Sequence, residues 1–217
     1  MSYSTQQIRN VALAGHPGAG KTTLFEALLH AGGAIQTAGS IERGNTVSDF
    51  DPIERERSHS IDAAIASIDH APHGQPPIHV NLIDTPGYPD FRGPTLSALA
   101  AVETVAVVVD ADTGISYGTH RMMEHAKARN LCRVIVVNKI DAPGADLGAL
   151  MDAIAATFGR ECLPINLPSA DGSRVIDCFF SPDNAAATAF SSPPAAHGAI
   201  LHQVVEPDQA LMAQYPW

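Results

Sequence analysis

The 217-residue sequence lacks the features of several protein classes. Its only cysteines are Cys132, Cys162 and Cys178, without a C-x-x-C pair, which argues against a disulfide or zinc framework and predicts buried, reduced thiols. Its apolar runs are only as long as a strand and residues 1–9 are polar, so neither a membrane span nor a secretory leader is predicted. The formal charge of −10 gives no basic surface for direct, sequence-specific nucleic-acid binding. What remains is the composition of a cytoplasmic α/β enzyme with one sizeable core and a small appendage.

Residues 15–22, with the sequence GHPGAGKT, match the phosphate-binding pattern G-x-x-x-x-G-K-[ST]. They follow a short apolar strand and precede a helix with apolar residues at helical spacing, which is the context that the pattern requires. The lysine would reach the β- and γ-phosphates and the threonine hydroxyl would bind Mg²⁺; the alternative is an ordinary Gly-rich turn. The predicted nucleotide-binding residues here are Gly15, His16, Pro17, Gly18, Ala19, Gly20, Lys21, Thr22 and Thr23.

Two further motifs follow strands in the expected order. They are the D-T-P-G sequence of residues 84–87 and the N-K-I-D sequence of residues 138–141. The Asp141 carboxylate can accept hydrogen bonds from guanine N1–H and the exocyclic amine, which adenine does not offer on that edge. Asn138 would brace the loop and the base, and the Lys139 stem would lie along the purine. The series predicts GTP rather than ATP.

With these three motifs, the chain resembles the translational GTPases, and among them elongation factor G. The likeness runs from Asn10 to about Phe158 and includes E-R-E-R at residues 54–57; residues 163–168 resemble the start of the insert subdomain of elongation factor G. The resemblance implies an α/β P-loop G domain with a mostly parallel, three-layer sheet. It also implies GTP/GDP and Mg²⁺ as ligands, hydrolysis that drives a conformational switch, and the ribosome as partner of the full-length protein.

Three departures mark a divergent, elongation-factor-G-like paralogue. Tyr88 stands where the family has a histidine directed toward the attacking water, and a phenol does not replace an imidazole as a proton carrier near neutral pH. Gly18 replaces an acidic residue that could anchor a monovalent cation. In residues 57–60, R-S-H-S replaces R-G-I-T, so Ser60 takes the position of the Mg²⁺-binding threonine, and His59 beside it is expected to be a solvent-exposed switch residue.

The roles that follow from the resemblance concern phosphoryl transfer. Catalytic roles fall to Lys21, which would neutralise charge on the phosphate oxygens, to Gly87, whose amide would sense the γ-phosphate, and to Tyr88. Metal-binding roles fall to Thr22, Ser60 and Asp84. The alternative to a GTPase is a non-hydrolysing or very slow GTP/GDP-dependent interaction module, with Tyr88 as the mark of lost catalysis.

Strand and helix signals alternate along the first two thirds of the chain. Residues 32–60 show no clear periodicity and suit a mobile first switch, although residues 54–57 fit a solvated helical turn equally well. Strands are predicted at 8–14, 61–69, 78–83, 104–110 and 133–138, and helices at 21–31, 93–101, 117–130 and 146–158.

The remaining residues predict a different organisation. We expect a G domain at 6–160 and part of an insert subdomain at 161–217, with a hairpin of strands 162–167 and 174–179. A low-order loop is predicted at 181–198, followed by a terminal helix from Ala199 that is interrupted near Pro207. The G domain would lack its last strand and helix, which predicts an exposed sheet edge at 133–138 and a weakened guanine pocket.

Overall fold

The chain divides into two compact units, Met1–Asn138 and Lys139–Trp217. The computed structural model describes residues 3–71, 76–180 and 182–206. The sequence predicts a domain boundary between residues 160 and 161. The division into compact units does not test which domain a residue belongs to, so this boundary stays a prediction.

The first unit alternates strands and helices as predicted. All five expected strands are present within three residues of their predicted ends, and so are the expected helices of this unit. Its elements are β1 (Ile8–Gly15), α1 (Lys21–Ala31), α2 (Pro52–Arg57), β2 (Ala64–His70), β3 (Ile78–Asp84), α3 (Arg92–Ala100), β4 (Thr104–Asp110), α4 (Tyr117–Ala128) and β5 (Cys132–Asn138), with short 3-10 helices at Thr5–Gln7 and Pro89–Phe91.

The five strands form one mostly parallel sheet in the order β2-β3-β1-β4-β5. Strands β3, β1, β4 and β5 run parallel, whereas β2 pairs antiparallel with β3. Among the described residues β5 is an outermost strand, which agrees with the predicted edge at 133–138. The fold is therefore the α/β P-loop architecture expected from the sequence.

The core lies on both faces of this sheet. Leu13 of β1 packs with Phe25 and Leu29 of α1, and all three are at most 1% exposed. Because side chains alternate along a strand, the fully buried Ala12 and Ala14 face the other side. Helices α3 and α4 also pack against β1. The continuous apolar run of β4 is buried, as a strand covered on both faces requires.

Residues 54–57 belong to helix α2, so the helical alternative for this run is the one observed. Asp51 caps the helix by accepting a hydrogen bond from the Ile53 amide at 2.7 Å, and Pro52 occupies its first position. Ser58 ends it in a left-handed conformation, with φ 55°. Residues 52–57 are thus helical within the stretch 32–60, but the turn is not fully solvated, because Glu54 is 3% exposed.

The second unit contains α5 (Leu147–Phe158), the antiparallel pair β6 (Asn166–Pro168) and β7 (Val175–Asp177), and α6 (Pro193–Val205). The predicted hairpin is present, although its strands are shorter than expected. Leu167 and Cys178 of this unit are fully buried and pack with Ile200 of α6. The unit thus has a small core of its own.

Two expectations for the C-terminal part are wrong. The stretch 181–198 is not a low-order loop throughout, because α6 begins at Pro193, with Ser192 as its N-cap, and Thr188 forms a bridge with Ser169. The terminal helix therefore starts six residues before Ala199; Pro207 lies outside the described residues.

Two further expectations concern the burial of the cysteines and the presence of a membrane-spanning helix. Only Cys178 is buried, whereas Cys132 is exposed and Cys162 half-buried, so the prediction of three buried thiols is wrong for two of them. Within the described ranges, no helix combines the length and the apolar character that crossing a membrane requires.

Candidate functional site

The candidate site lies where the parallel strands end. The loop at residues 15–20 follows β1, the D-T-P-G sequence follows β3, and Asn138 ends β5. Carboxyl ends of parallel strands meet at one edge of the sheet, where ligands bind in open α/β folds. The fold thus brings together motifs that are up to 119 residues apart in the chain.

The loop at 15–20 has backbone angles that favour glycine. Gly18 (φ 77°) and Gly20 (φ 89°) lie in the left-handed region, and a Cβ on Gly15 would collide with the carbonyl of Val108 in β4. Gly20 directly precedes the first turn of α1. The backbone amides of Lys21, Thr22 and Thr23 in that turn have no intrahelical partner, so they are free to donate hydrogen bonds to an anion.

Lys21 is buried at the base of this loop, with 6% of its surface exposed. Its ammonium donates hydrogen bonds to the carbonyl oxygens of Gly15 (3.3 Å) and His16 (3.1 Å). Burial lowers the pKa of Lys21, and the nearby Asp84 carboxylate opposes that shift. A cation is therefore placed where phosphate oxygens would enter the loop.

Four oxygen-bearing side chains converge beside the lysine: Thr22, Asp49, Ser60 and Asp84, called here the oxygen group. The Thr22 hydroxyl donates to Asp84 Oδ2 at 2.6 Å, and the Ser60 hydroxyl donates to Asp49 Oδ1 at 2.7 Å. The two hydroxyl oxygens are 3.4 Å apart. Since both protons are directed at carboxylates, lone pairs on both oxygens are available to a hard cation.

The oxygen group fits Mg²⁺ better than a metal that requires several charged or sulfur ligands. Among residues 3–71, 76–180 and 182–206, no cluster of three or more His, Cys, Asp or Glu side chains is placed to hold a metal ion. Mg²⁺ usually takes one or two protein oxygens and completes its shell with phosphates and water. The Thr22 and Ser60 hydroxyl oxygens, 3.4 Å apart, match that requirement, and the two carboxylates accept their protons.

Asp84 is the most electrostatically perturbed member of the oxygen group. Burial raises its pKa to about 6, and the Asp49 charge adds to the rise, while the Thr22 hydrogen bond and the Lys21 charge oppose it. Its Oδ1 atom and Ser48 Oγ are both buried and lack a well-aligned hydrogen-bond partner among the described residues. The Ser48 hydroxyl is nevertheless near enough to Asp84 to lower its pKa slightly. A buried carboxylate oxygen in this condition is suited to a cation or its bound water.

The D-T-P-G loop is fixed from two sides. The Thr85 hydroxyl donates to the Leu13 carbonyl at 2.7 Å, and the Thr95 hydroxyl of α3 donates to the Pro86 carbonyl at 3.0 Å. A Cβ on Gly87 would lie 2.5 Å from Lys21 Nζ and 2.8 Å from the backbone nitrogen of Pro17. Only a glycine fits this close approach to the phosphate loop.

Aromatic rings connect the segment after α2 with the segment after β3. His59 contacts Tyr88 with ring centroids 4.7 Å apart and stacks on Phe91 at 6.0 Å. His59 is half-buried rather than solvent-exposed, which corrects the expectation for it. Tyr88 is 43% exposed and lines a cavity of about 250 Å³ together with Pro17, Arg92, Tyr117 and Arg121.

The N-K-I-D sequence spans the boundary between the two units. Asn138 lies in the first unit and donates from Nδ2 to the Ala19 carbonyl at 2.9 Å, so it does contact the phosphate loop. Lys139 begins the second unit in a left-handed conformation with φ 57°, and the Ala142 amide closes a turn onto its carbonyl. The roles of Lys139 and Asp141 in base recognition stay predictions.

Three acidic residues of the site region were not predicted. The sequence prediction assigns no site role to Asp49 and treats Glu54 only as part of the charged run at 54–57, yet both are 3% exposed; Glu26 of α1 is 1% exposed. A signal for Glu54 existed, because a glutamate three residues after Asp51 completes a capping box. Glu26 had no local signal, since its partners lie 13 and 21 residues away.

Comparisons with known proteins agree with this geometry. The family model described as the elongation factor Tu GTP binding domain matches residues 6–211. An elongation factor G-like protein of Mycobacterium tuberculosis is 39% identical over 165 residues, which are 76% of this chain and 22% of the relative. Peptide chain release factor 3 of Gloeothece citriformis is 35% identical over 178 residues, 80% of this chain and 32% of the relative.

A solved structure gives the same result for the fold. A crystal structure of a protein from Thermus thermophilus matches with a TM-score of 0.81 and 34% identity, and the match covers 96% of this chain and 33% of that one. The chain spans about a fifth to a third of the length of the proteins it matches. The chain belongs to the family of elongation factor Tu GTP-binding domains, the G domains of translational GTPases.

Proposed function

We propose that this chain binds GTP and GDP with Mg²⁺ and hydrolyses GTP, as the G domain of a translation factor of the elongation factor G or release factor 3 type. The observation that carries the proposal is the placement of the oxygen group beside buried Lys21, at the end of a loop with two left-handed glycines. A polyphosphate with a divalent cation is the ligand that these groups complement.

Each part of the phosphate site has a physical task. The amides of the loop and of the first turn of α1 donate to phosphate oxygens, and Lys21 offsets the negative charge that they bring into a buried site. His16 and Pro17 line the cavity beside the loop. Positioning of this kind supplies most of the catalysis in phosphoryl transfer, because the protein forms no covalent bond to the phosphorus.

Thr22 and Ser60 would hold Mg²⁺ through their hydroxyl oxygens, and Asp84 would hold a water of its shell. When bound, Mg²⁺ neutralises charge on the phosphate oxygens. In this chain Asp49 and Asp84 accept the two hydroxyl protons, which orients the Ser60 and Thr22 oxygens toward a common point. The negative charge of the two carboxylates also favours a divalent cation over a monovalent one.

The conformational switch would use the two segments that meet at this site. Gly87 is close enough to the phosphate loop for its amide to donate to a terminal phosphate. Ser60 arrives from the other segment and shares the oxygen group with Thr22. Loss of the terminal phosphate would release both, which is an order-to-disorder switch.

A second candidate function is favoured by Tyr88, namely a GTP/GDP-dependent interaction module with very slow or no hydrolysis. The phenol can donate a hydrogen bond to water, but it is a poorer proton acceptor than the imidazole of a histidine. Both candidates use the same pocket. The two candidate functions differ in the rate of GTP hydrolysis, which can be measured directly.

The ribosome is the proposed partner of the longer protein, and the cytoplasm its compartment, because the matched relatives carry names of translation factors. The formal charge of −10 means that the chain itself offers no general attraction for RNA. Ribosome contact by this part of the protein would then depend on a local surface.

The test is a titration with fluorescent GDP in Mg²⁺ buffer, competed by unlabelled GTP, GDP and ATP. Displacement by the guanine nucleotides alone is expected, with near-complete loss of binding in Lys21→Ala and loss of the preference over ATP in Asp141→Ala. Lys127→Ala is the matched control, since that lysine is exposed on α4. Unchanged affinity in Lys21→Ala would contradict the site assignment.

A further inference from the structure

Two buried glutamates bind the backbone of the segment that carries half of the oxygen group. Glu26 of α1 accepts hydrogen bonds from the amides of Gly39 (2.8 Å) and Val47 (2.5 Å). Glu26 is 1% exposed, so these contacts are shielded from water. Its side chain therefore closes the loop between these two amides onto α1.

Glu54 of α2 does the same further along the chain. Its Oε1 accepts from the amides of Ile61 (2.9 Å) and Asp62 (3.1 Å), and its Oε2 accepts from the Asp51 amide at 3.3 Å. Glu54 is 3% exposed. Residues 39–62, called here the 39–62 segment, are thus fixed at one end by Glu26 and at the other by Glu54.

Neither carboxylate has an ion-pair partner within the part of the chain that the structure describes. Their hydrogen bonds go to backbone amides of the 39–62 segment. A buried carboxylate that loses such donors bears an uncompensated charge, so the segment and the two glutamates are energetically coupled.

The amides that the two glutamates bind are close in sequence to Asp49 and Ser60, the oxygen-group members of the 39–62 segment. Val47 is two residues from Asp49, and Ile61 directly follows Ser60. Asp49 is held further by Thr46, whose hydroxyl donates to its Oδ2 at 3.2 Å, and by Arg55, whose Nε donates to its carbonyl at 2.9 Å. The position of both oxygen-group members therefore depends on backbone that the glutamates hold.

We propose that Glu26 and Glu54 are positioning residues that hold the 39–62 segment so that Ser60, whose proton Asp49 accepts, reaches the cation. They act through the backbone and touch neither nucleotide nor metal. The link to the cation rests on the proposed function, whereas the attachment of the segment does not.

The first measurement uses the nucleotide-free chain. Trypsin cleavage after Arg43, which is exposed within the loop closed by Glu26, is compared with cleavage after Arg129 at the end of α4. In Glu26→Gln one of the two backbone amides faces an NH₂ group and loses its hydrogen bond. The ratio of cleavage after Arg43 to cleavage after Arg129 is therefore expected to rise about tenfold, because one hydrogen bond to a charged group is lost. For Glu54→Gln the site measured is Arg57. Glu56→Gln is the matched control, because it makes the same charge change at an exposed position of α2.

The second measurement is the Mg²⁺ concentration that gives half-maximal retention of a fluorescent GTP analogue. Glu26→Gln and Glu54→Gln are expected to raise it about tenfold, with GDP affinity in Mg²⁺-free buffer unchanged. Leu29→Ala destabilises the same helix without touching the segment, and should leave the Mg²⁺ requirement as in the parent chain.

Unchanged cleavage ratios would overturn the attachment of the segment. Raised ratios with an unaltered Mg²⁺ requirement would overturn the positioning role and leave the glutamates as structural residues only. If the parent chain bound no guanine nucleotide at all, the proposed function would fail, and the cleavage ratios would still decide whether the glutamates hold the segment.

Discussion

His59 contacts Tyr88 across the candidate site, with ring centroids 4.7 Å apart and ring planes inclined at 50°. The pair joins the segment that supplies Ser60 to the segment that supplies Gly87. An imidazole is therefore present beside position 88, although the residue at that position is a tyrosine. This contact makes position 88 the first place to test catalysis.

Tyr88→His is expected to raise the single-turnover rate of GTP hydrolysis at least tenfold, because positioned general acid–base groups contribute roughly 10²–10⁴-fold. The measurement is phosphate release from the preformed GTP complex. Tyr117→His is the control, since Tyr117 lines the same cavity and is 72% exposed. An equal rate in the parent and in Tyr88→His would show that position 88 does not limit hydrolysis.

Gly87→Ala tests the close approach of the D-T-P-G loop to the phosphate loop. The added Cβ would lie 2.8 Å from the backbone nitrogen of Pro17, and a backbone atom cannot move aside as the end of Lys21 can. We expect GTP affinity to fall about tenfold, more than GDP affinity, with a loss of roughly 1–3 kcal/mol in unfolding free energy from overpacking.

Gly93→Ala in α3 is the matched control for that variant. Apart from its chain neighbours and the backbone of its own helix, no atom of the described residues lies within 4 Å of a Cβ at Gly93, and alanine is the better helix former. It should bind both nucleotides normally and be no less stable than the parent. Identical behaviour of the two variants would contradict the geometry at Gly87.

Asp84 predicts a pH dependence of stability in the nucleotide-free, Mg²⁺-free chain. Its pKa is about 6 in the folded chain against 3.8 as the ordinary value, so the folded state binds this proton more tightly than the unfolded state. Its contribution to stability is therefore present below pH 4 and is lost as the pH rises through 6.

Asp84→Asn replaces the titratable carboxyl group with an amide that does not titrate. The side-chain amide of the asparagine can donate a hydrogen bond toward the buried Ser48 hydroxyl. The stability of the variant relative to the parent should increase by about 3 kcal/mol between pH 3 and pH 7.5, since one pKa unit corresponds to about 1.4 kcal/mol. Urea unfolding of both proteins at several pH values measures the difference. Parallel stability curves would show that burial does not perturb Asp84 in this way.

The sequence predicted those parts of the fold and site that depend on local signals. The loop at 15–20 lies between a strand and a helix, so its left-handed glycines and the buried Lys21 follow from neighbours in the chain. The sheet was predictable because each strand is a short apolar run between turn residues. The order of the three motifs along the chain agrees with the family likeness.

The residues that were missed depend on contacts distant in sequence or on capping signals that were underweighted. Asp49 and Glu26 are buried by a Gly-rich segment whose path has no periodic pattern. The prolines at the start of α6 are typical of a loop, yet a proline directly after Ser192 is also a favourable first helical residue. The exposure of Cys132 follows from its place on the edge strand β5, which composition does not reveal.

Ser60→Ala tests the oxygen group through one atom. The change removes the hydroxyl that donates to Asp49 at 2.7 Å and lies 3.4 Å from Thr22 Oγ1, so Asp49 loses a partner and, under the proposed function, the cation would lose a ligand oxygen. We expect the Mg²⁺ concentration for half-maximal GTP retention to rise about tenfold, which corresponds to roughly 1.4 kcal/mol. Ser67→Ala, on the exposed face of β2, makes the same chemical change away from the site and should behave as the parent. Ser60→Thr keeps the hydroxyl and should restore the parent requirement; if it behaved like Ser60→Ala instead, the hydroxyl would not be the group that matters.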